Sequence, residues 1–157
     1  MKSKLIGVVL GLLLLGISAQ ARLGMTLKDC TDKYGAPTLS SSRLYPQIYN
    51  FKVNDIALAI VFRNDISVRE SYSRAEGIEP TEIVAMLDKN ASNGAVWGQS
   101  ESQTEGITKY TIWFLEQHSD WVARAEYDAT GPNKGTLTVQ TKAEFFAREQ
   151  EKKDDGI

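Results

Sequence analysis

Apolar and polar residues alternate over a long segment that is interrupted by two Asn-Asp dipeptides. The alternation covers residues 49–53, 56–62 and 66–68, and the dipeptides are Asn54-Asp55 and Asn64-Asp65. A period of two is typical of a β-strand with one buried face. Asn and Asp tolerate positive φ, so each dipeptide predicts a hairpin turn. The segment therefore predicts a three-stranded antiparallel meander, with strands at about 46–53, 56–63 and 66–72.

The register of these strands follows from keeping their apolar side chains on one face. A two-residue turn at 54–55 forms three apolar pairs, namely Val53 with Ile56, Phe51 with Leu58 and Tyr49 with Ile60. A two-residue turn at 64–65 fails the same test, because it turns Ile66 away from Phe62. A three-residue turn over 63–65 pairs Phe62 with Ile66 and Ile60 with Val68. We therefore expect the longer second turn.

Capping residues predict three short helices. Thr26 precedes a helix at about 27–34, and Pro80 begins a second helix at about 80–90. The sequence Thr-Lys-Ala-Glu at 141–144 is a capping box for a last helix.

The second half of the chain contains further extended segments. Residues 107–115, 121–127 and 137–139 are rich in β-branched and aromatic side chains, which predicts strands. Residues 99–106 are polar and contain no large apolar side chain. We expect this segment to form an exposed loop.

Together these elements predict an α+β fold in which antiparallel β-meanders carry short helices packed on one face. The order α-βββ occurs twice, so two tandem units at 22–74 and 78–141, followed by a C-terminal helix, are one arrangement that fits. Both units would belong to a single domain at 22–147. A charged tail at 148–157 follows.

The amino terminus has the three parts of a cleavable signal peptide. Lys2 and Lys4 precede an uncharged apolar run at 5–17, and Ala19 and Ala21 are the small residues that a signal peptidase recognises. The run is shorter than the ~20 residues of a membrane span. We therefore predict a signal peptide at 1–21, a mature chain without a stable membrane span, and a periplasmic or secreted location.

Charge and cysteine content exclude several kinds of partner. The formal net charge of −2 becomes −4 when the two lysines of the signal peptide are removed, so the mature chain lacks the basic character that nucleic acid requires. The single cysteine, Cys30, cannot form an intramolecular disulfide. It lies on the apolar side of the first predicted helix, which favours a buried thiol over an intermolecular disulfide.

The titratable residues argue against familiar catalytic chemistry. His118 is the only histidine, and its polar surroundings favour a solvated turn residue over a catalytic base. One histidine and one cysteine cannot form the usual zinc sites, and the glycines form no phosphate-binding loop. We predict no catalytic residue, no metal and no cofactor.

The candidates for a binding surface are Trp97, Trp113 and Trp121. If the segment around Trp113 is a strand, this side chain shares a face with Lys109 and Thr111, which would be the outer face of the sheet. Exposed aromatic side chains can anchor a protein partner or a glycan. Packing in the core is the competing interpretation.

The sequence Leu-Gly-Met-Thr-Leu at 23–27, followed by Tyr-Gly-Ala-Pro at 34–37, resembles the opening of small exported α+β modules of the SmpA/BamE and beta-lactamase-inhibitor-protein type. The resemblance covers residues 23–72 and implies a non-catalytic envelope scaffold or protein inhibitor. The inhibitor type uses two tandem modules. This chain departs from the pattern because it has no second predicted helix before Tyr49 and no second cysteine. The last third of the chain is similar to other exported bacterial proteins.

Two functional hypotheses follow. The first is an exported non-catalytic binding or envelope-structural module, whose partner would be another envelope or secreted protein. The alternative is a small carboxylate-dependent hydrolase that acts on an extracytoplasmic glycan. A hydrolase needs a cleft with converging carboxyl groups, whereas a binding module presents an exposed aromatic or flat sheet surface. The oligomeric state stays open.

Overall fold

The computed structural model describes residues 23–91, 95–116, 120–128 and 134–154. The predicted signal peptide and His118 lie outside the described residues. The elements, in chain order, are α1 (Leu27–Tyr34), β1 (Thr38–Ser40), β2 (Ile48–Val53), β3 (Ile56–Arg63), β4 (Ile66–Ser73), α2 (Pro80–Asn90), β5 (Trp97–Glu105), β6 (Thr108–Leu115), β7 (Trp121–Asp128), β8 (Gly135–Thr141) and α3 (Lys142–Asp154). Among these residues, no helix has the length and apolar character that a membrane span requires.

The strands form one eight-stranded antiparallel sheet in the order β1-β2-β3-β4-β8-β7-β6-β5. Each half of the sheet is a four-stranded meander that follows a helix, and the two meanders join where β4 pairs with β8. The prediction of three strands in each unit is wrong, because β1 and β5 add an outer strand to each meander. Both outer strands are polar or exposed, so no apolar alternation marks them.

The predicted helices at 27–34 and 80–90 and the first predicted hairpin are confirmed. Helix α1 begins with a capping box between Thr26 and Asp29, and Pro80 occupies the first turn of α2. In the hairpin, Val53 pairs with Ile56 across the two-residue turn. These features depend on local chemistry and on one apolar face, which is why the sequence predicts them.

The predicted three-residue second turn is wrong. Arg63 pairs with Ile66, which leaves a two-residue turn in which Asn64 and Asp65 have φ angles of 52° and 62°. Positive φ at both positions is what a type I′ hairpin turn requires. The extra residue sits instead in β4, where a bulge at Val68 interrupts the pairing with β3.

The prediction that residues 99–106 form a loop is wrong. The segment belongs largely to β5, which pairs with β6 on both sides of an irregularity between Gln99 and Glu101. The side chains from Glu101 to Glu105 are exposed, as predicted for the segment. An edge strand of this kind is stabilised by backbone hydrogen bonds to one neighbour, so its side chains need not be apolar.

The two faces of the sheet are both covered. We name one side of the sheet the core face. On this face, a row of directly paired residues crosses five strands, namely Phe51, Leu58, Tyr72, Leu137 and Ala125. These residues form one buried cluster with Cys30 of α1 and with Ile83 and Leu87 of α2.

The opposite face, which we name the α3 face, carries the next row, Ala59, Ser71, Thr138 and Arg124. Helix α3 contacts this side through β7 and β8. The predicted α+β fold with its helices on one face is therefore wrong, and the protein is a sheet-dominated fold. The physical reason is that Val61 and Val122 are also buried, so the α3 face needs a cover of its own.

Gly135 allows a close contact that joins the linker before α2 to the sheet. Its backbone N–H and carbonyl both form hydrogen bonds with Ile78, with N···O distances of 3.0 and 2.8 Å. A Cβ atom at this position would lie 2.1 Å from the carbonyl oxygen of Glu126. Only glycine fits this position without moving the backbone of β7.

We expect Gly135→Ala to lower the free energy of unfolding by about 3 kcal/mol, because the added methyl group overlaps backbone atoms. Gly106→Ala is the matched control. Gly106 has a φ of +58° and open space around it, so its substitution should cost only about 1 kcal/mol of conformational strain. Urea denaturation measures both values, and equal losses would contradict the close contact at Gly135.

Candidate functional site

A cavity of about 230 Å3 lies on the α3 face, between strands β2 to β4, the segment before β2 and helix α3. Its lining consists of Ser42, Leu44, Tyr45, Ile48, Ala59, Val61, Arg69, Ser71 and Arg148. We name it the arginine cavity, because two arginines are its charged groups. No carboxylate belongs to this lining.

Tyr45 forms one wall of the arginine cavity and fixes the position of Arg69. The backbone N–H of Ser42 donates to the carbonyl of Tyr45 at 2.8 Å, and the N–H of Tyr45 donates to the Ser42 hydroxyl at 3.1 Å. This turn buries the tyrosine ring. Nη1 of Arg69 donates to the Tyr45 hydroxyl at 3.0 Å, and Nε of Arg69 donates to the Ser71 hydroxyl at 3.4 Å.

Arg148 reaches the cavity from α3, and ion pairs hold this helix over the sheet. Nη1 of Arg124 lies 2.9 Å from Oε1 of Glu149, and Nη2 of Arg63 lies 3.5 Å from Oε1 of Glu144. The Arg124 side chain is almost entirely buried, so its pair with Glu149 is screened less than an exposed salt bridge. The position of Arg148 therefore follows from the placement of the whole helix.

The acids beside the arginine cavity have other partners in the described part of the chain. Glu144 lies beside Arg63 and is hydrogen-bonded to the Tyr45 hydroxyl, and Glu126 and Glu149 are paired with Arg124. Neither Arg69 nor Arg148 forms a salt bridge with a residue that the structure describes. Burial lowers the pKa of Arg148, and the charge of Arg69 lowers it further. An anion in the cavity would offset the repulsion between the two arginines.

The predicted tryptophans lie elsewhere. Trp97 donates its indole N–H to the carbonyl of Leu87 at 2.8 Å and so ties β5 to α2. Trp121 is partly buried against the core. Trp113 shares a face with Lys109 and Thr111 as predicted, but this is the core face, and Trp113 is only 8% exposed. The expectation that it lies on an outer face is wrong, because α2 covers this side of the sheet.

A second cavity, of about 290 Å3, lies beside Trp113 between α2 and strands β5 to β7. Its lining consists of Pro80, Val84, Gln99, Ser102, Lys109, Thr111, Trp113 and Tyr127. A single cation and no acid belong to this lining. Among the described residues, no group of three or more His, Cys, Asp or Glu side chains could hold a metal ion.

The core contains a buried carboxyl group that the sequence analysis did not identify. Glu70 is fully buried and accepts a hydrogen bond of 3.0 Å from the Tyr72 hydroxyl, which in turn accepts one from Asn90. Burial raises the pKa of Glu70 to about 7, against the opposing effect of hydrogen bonds from Tyr72 and Ser67. The signal was present in the sequence, because alternation with Tyr72 already placed Glu70 on the apolar face.

The thiol of Cys30 is free and buried near this carboxyl group. Burial, followed by the charge of Glu70, raises the pKa of Cys30 to about 12. The predicted buried thiol is confirmed. A thiol with such a pKa remains protonated at neutral pH and is a poor nucleophile.

Because Glu70 has a higher pKa in the folded chain than its ordinary value of 4.5, the folded state binds a proton that the unfolded state releases. Stability should therefore decrease as the pH rises from about 4.5 to about 7 and change little from this group above that range. We expect Glu70→Gln to remove this dependence. The measurement is the urea midpoint at pH 5 and pH 8, with exposed Glu76→Gln as the control. An unchanged pH dependence in Glu70→Gln would contradict the assignment.

No protein-family model matches the sequence, and no curated protein matches it significantly. Among solved structures, the chain is similar to one described as a cysteine-rich secretory protein (SAV1118) from Staphylococcus aureus subsp. aureus Mu50. The identity is 16%, the TM-score is 0.44, and the match covers 77% of this chain and 45% of that chain. The chain thus spans less than half of that protein, and a similarity at this level carries no argument about function.

Proposed function

We propose that this protein is an exported, non-catalytic binding module and that the arginine cavity is its ligand site. The observation that carries the proposal is a pair of arginines, Arg69 and Arg148, which line one cavity without a carboxylate partner among the described residues. Arginine is the side chain best suited to bind carboxylate or phosphate groups through paired hydrogen bonds. The partner would be an envelope or secreted protein, or a small molecule of the same compartment.

The alternative, a carboxylate-dependent hydrolase, has less support. The arginine cavity and the cavity beside Trp113 contain no acid in their linings. A third cavity includes Glu126 and Asp128, which lie two residues apart on β7 and project side by side. Glu126 is already paired with Arg124 at 3.2 Å. This arrangement lacks two carboxyl groups that face each other across a cleft, which glycoside hydrolysis requires.

Export is proposed from residues 1–21, and the periplasm and the exterior are both compatible with it. The free, buried Cys30 agrees with a mature protein that needs no disulfide. The resemblance of residues 23–72 to non-catalytic exported modules agrees with the same class.

The first test is the amino terminus of the protein as the cell exports it. We expect mass spectrometry to find Arg22 at its start, because Ala19 and Ala21 precede this bond. An exported form that retains Met1 would contradict the signal peptide.

The second test asks whether the arginine cavity binds anions at all. Ligand-detected NMR with a mixture of carboxylates, phosphates and sulfates should show binding to the purified protein. Replacing both Arg69 and Arg148 by Gln should weaken it about tenfold or more, because each charged hydrogen bond is worth ~1.5–3 kcal/mol.

Lys52→Gln combined with Lys153→Gln is the matched control, since it removes the same two charges from exposed positions outside the cavity lining. Anion binding that is equal in the two double variants would contradict the proposed site. If the protein hydrolyses an envelope glycan and Asp128→Asn abolishes this activity, the proposal of a non-catalytic binding module is wrong.

A further inference from the structure

The lining of the arginine cavity combines polar and apolar side chains, and on the sheet the polar ones of β4 lie beside the apolar ones of β3. Arg69, Arg148 and the hydroxyl groups of Ser42 and Ser71 supply hydrogen-bond donors. The remaining wall consists of Leu44, Ile48, Ala59 and Val61, together with the ring of Tyr45. A ligand that fills this cavity must therefore combine an anionic head with an apolar body.

The geometry of Arg69 suits a planar anionic head. A guanidinium group has five N–H donors in one plane, and the contacts to Tyr45 and Ser71 use only part of them. These two contacts also hold the plane in a fixed orientation. The side chain is thus prepared to bind a carboxylate without losing much further side-chain freedom.

The volume of the cavity sets how much of a ligand it can enclose. A cavity of roughly 150 Å3 holds a benzene molecule, so one of about 230 Å3 has room for roughly nine non-hydrogen atoms by the same scale. A carboxylate uses three of these and leaves about six for carbon. A phosphate group uses five and leaves about four, so a carboxylate leaves more atoms to cover the apolar wall of Leu44, Ile48, Ala59 and Val61.

We propose that the arginine cavity binds a carboxylate that is attached to a compact apolar group of about five or six carbon atoms. Such a group occurs in short free acids and in the C-terminal residue of a polypeptide that ends in a leucine-sized side chain. The cavity is partly open to solvent, so it can admit either source. This inference rests on the proposed function, because it names the ligand class of the same site.

The test is isothermal titration of the purified protein with 4-methylpentanoate, 4-methylpentanamide, acetate and inorganic phosphate at constant ionic strength. The amide has the shape of the acid without its charge, and acetate has the charge without the apolar body. We expect the acid to bind about tenfold or more tightly than each of the other three probes. A peptide that ends in free leucine, compared with its C-terminal amide, then distinguishes a chain end from a free acid.

Two variants connect the result to the cavity. Arg148→Gln should weaken binding of 4-methylpentanoate about tenfold, whereas Lys153→Gln, on the same helix, should leave it unchanged. Val61→Thr keeps the volume of the wall and adds a hydroxyl group, so it should weaken binding of 4-methylpentanoate but not of acetate. Thermal unfolding of each variant verifies that it is folded.

Each outcome distinguishes this inference from the proposed function. If the acid and the amide bind equally, or if phosphate binds most tightly, the proposed ligand class is wrong. The proposal that the cavity is a ligand site is not contradicted by either result. If Arg148→Gln leaves the binding of 4-methylpentanoate unchanged, the ligand binds elsewhere and the inference is wrong. If none of the four probes binds, the inference is wrong. The NMR experiment with mixed anions then tests the proposed function separately.

Discussion

The pairing of β4 with β8 is the contact on which the rest of the structure depends. It joins the two four-stranded meanders into one sheet and aligns Arg69 with Gln140, and Tyr72 with Leu137. The hydroxyl groups of Ser71 and Thr138 lie 3.1 Å apart across this junction. Without it, each half would present an open strand edge, and neither face of the sheet would be wide enough to receive its helices.

The same junction sets the chemistry of both faces. Consecutive residues of β4 point to opposite sides, so Arg69 lines the arginine cavity while Glu70 lies in the core. The core side accepts a buried carboxyl group because Tyr72 donates a hydrogen bond to it. The α3 side gathers arginines, and the acids Glu126, Glu144 and Glu149 are paired there with Arg63 and Arg124. That Arg69 and Arg148 form no salt bridge with a described residue is therefore a result of the packing.

Helix α3 illustrates how a charged segment becomes part of a site. Glu144 and Glu149 pair with arginines of the sheet, and Lys142 lies over the ring of Phe114 at 5.4 Å. These contacts orient the helix so that Arg148 lines the cavity. Individual exposed ion pairs contribute little to stability. Here the ion pairs fix the orientation of α3, and this orientation places Arg148 in the same cavity as Arg69.

The sequence by itself determined the features that depend on neighbouring residues. Thr26 and Pro80 mark the starts of α1 and α2, and the alternation on either side of Asn54 determines the first hairpin, because caps and periodicity act over a few residues. The tertiary structure alone decided the bulge at Val68, the polar edge strand β5 and the placement of helices on both faces. It also decided the arginine cavity, since Arg69 and Arg148 are far apart in the chain and meet only when α3 crosses the sheet. Long-range pairing and charge balance have no local sequence signal, and this is the physical reason why the site could not be predicted.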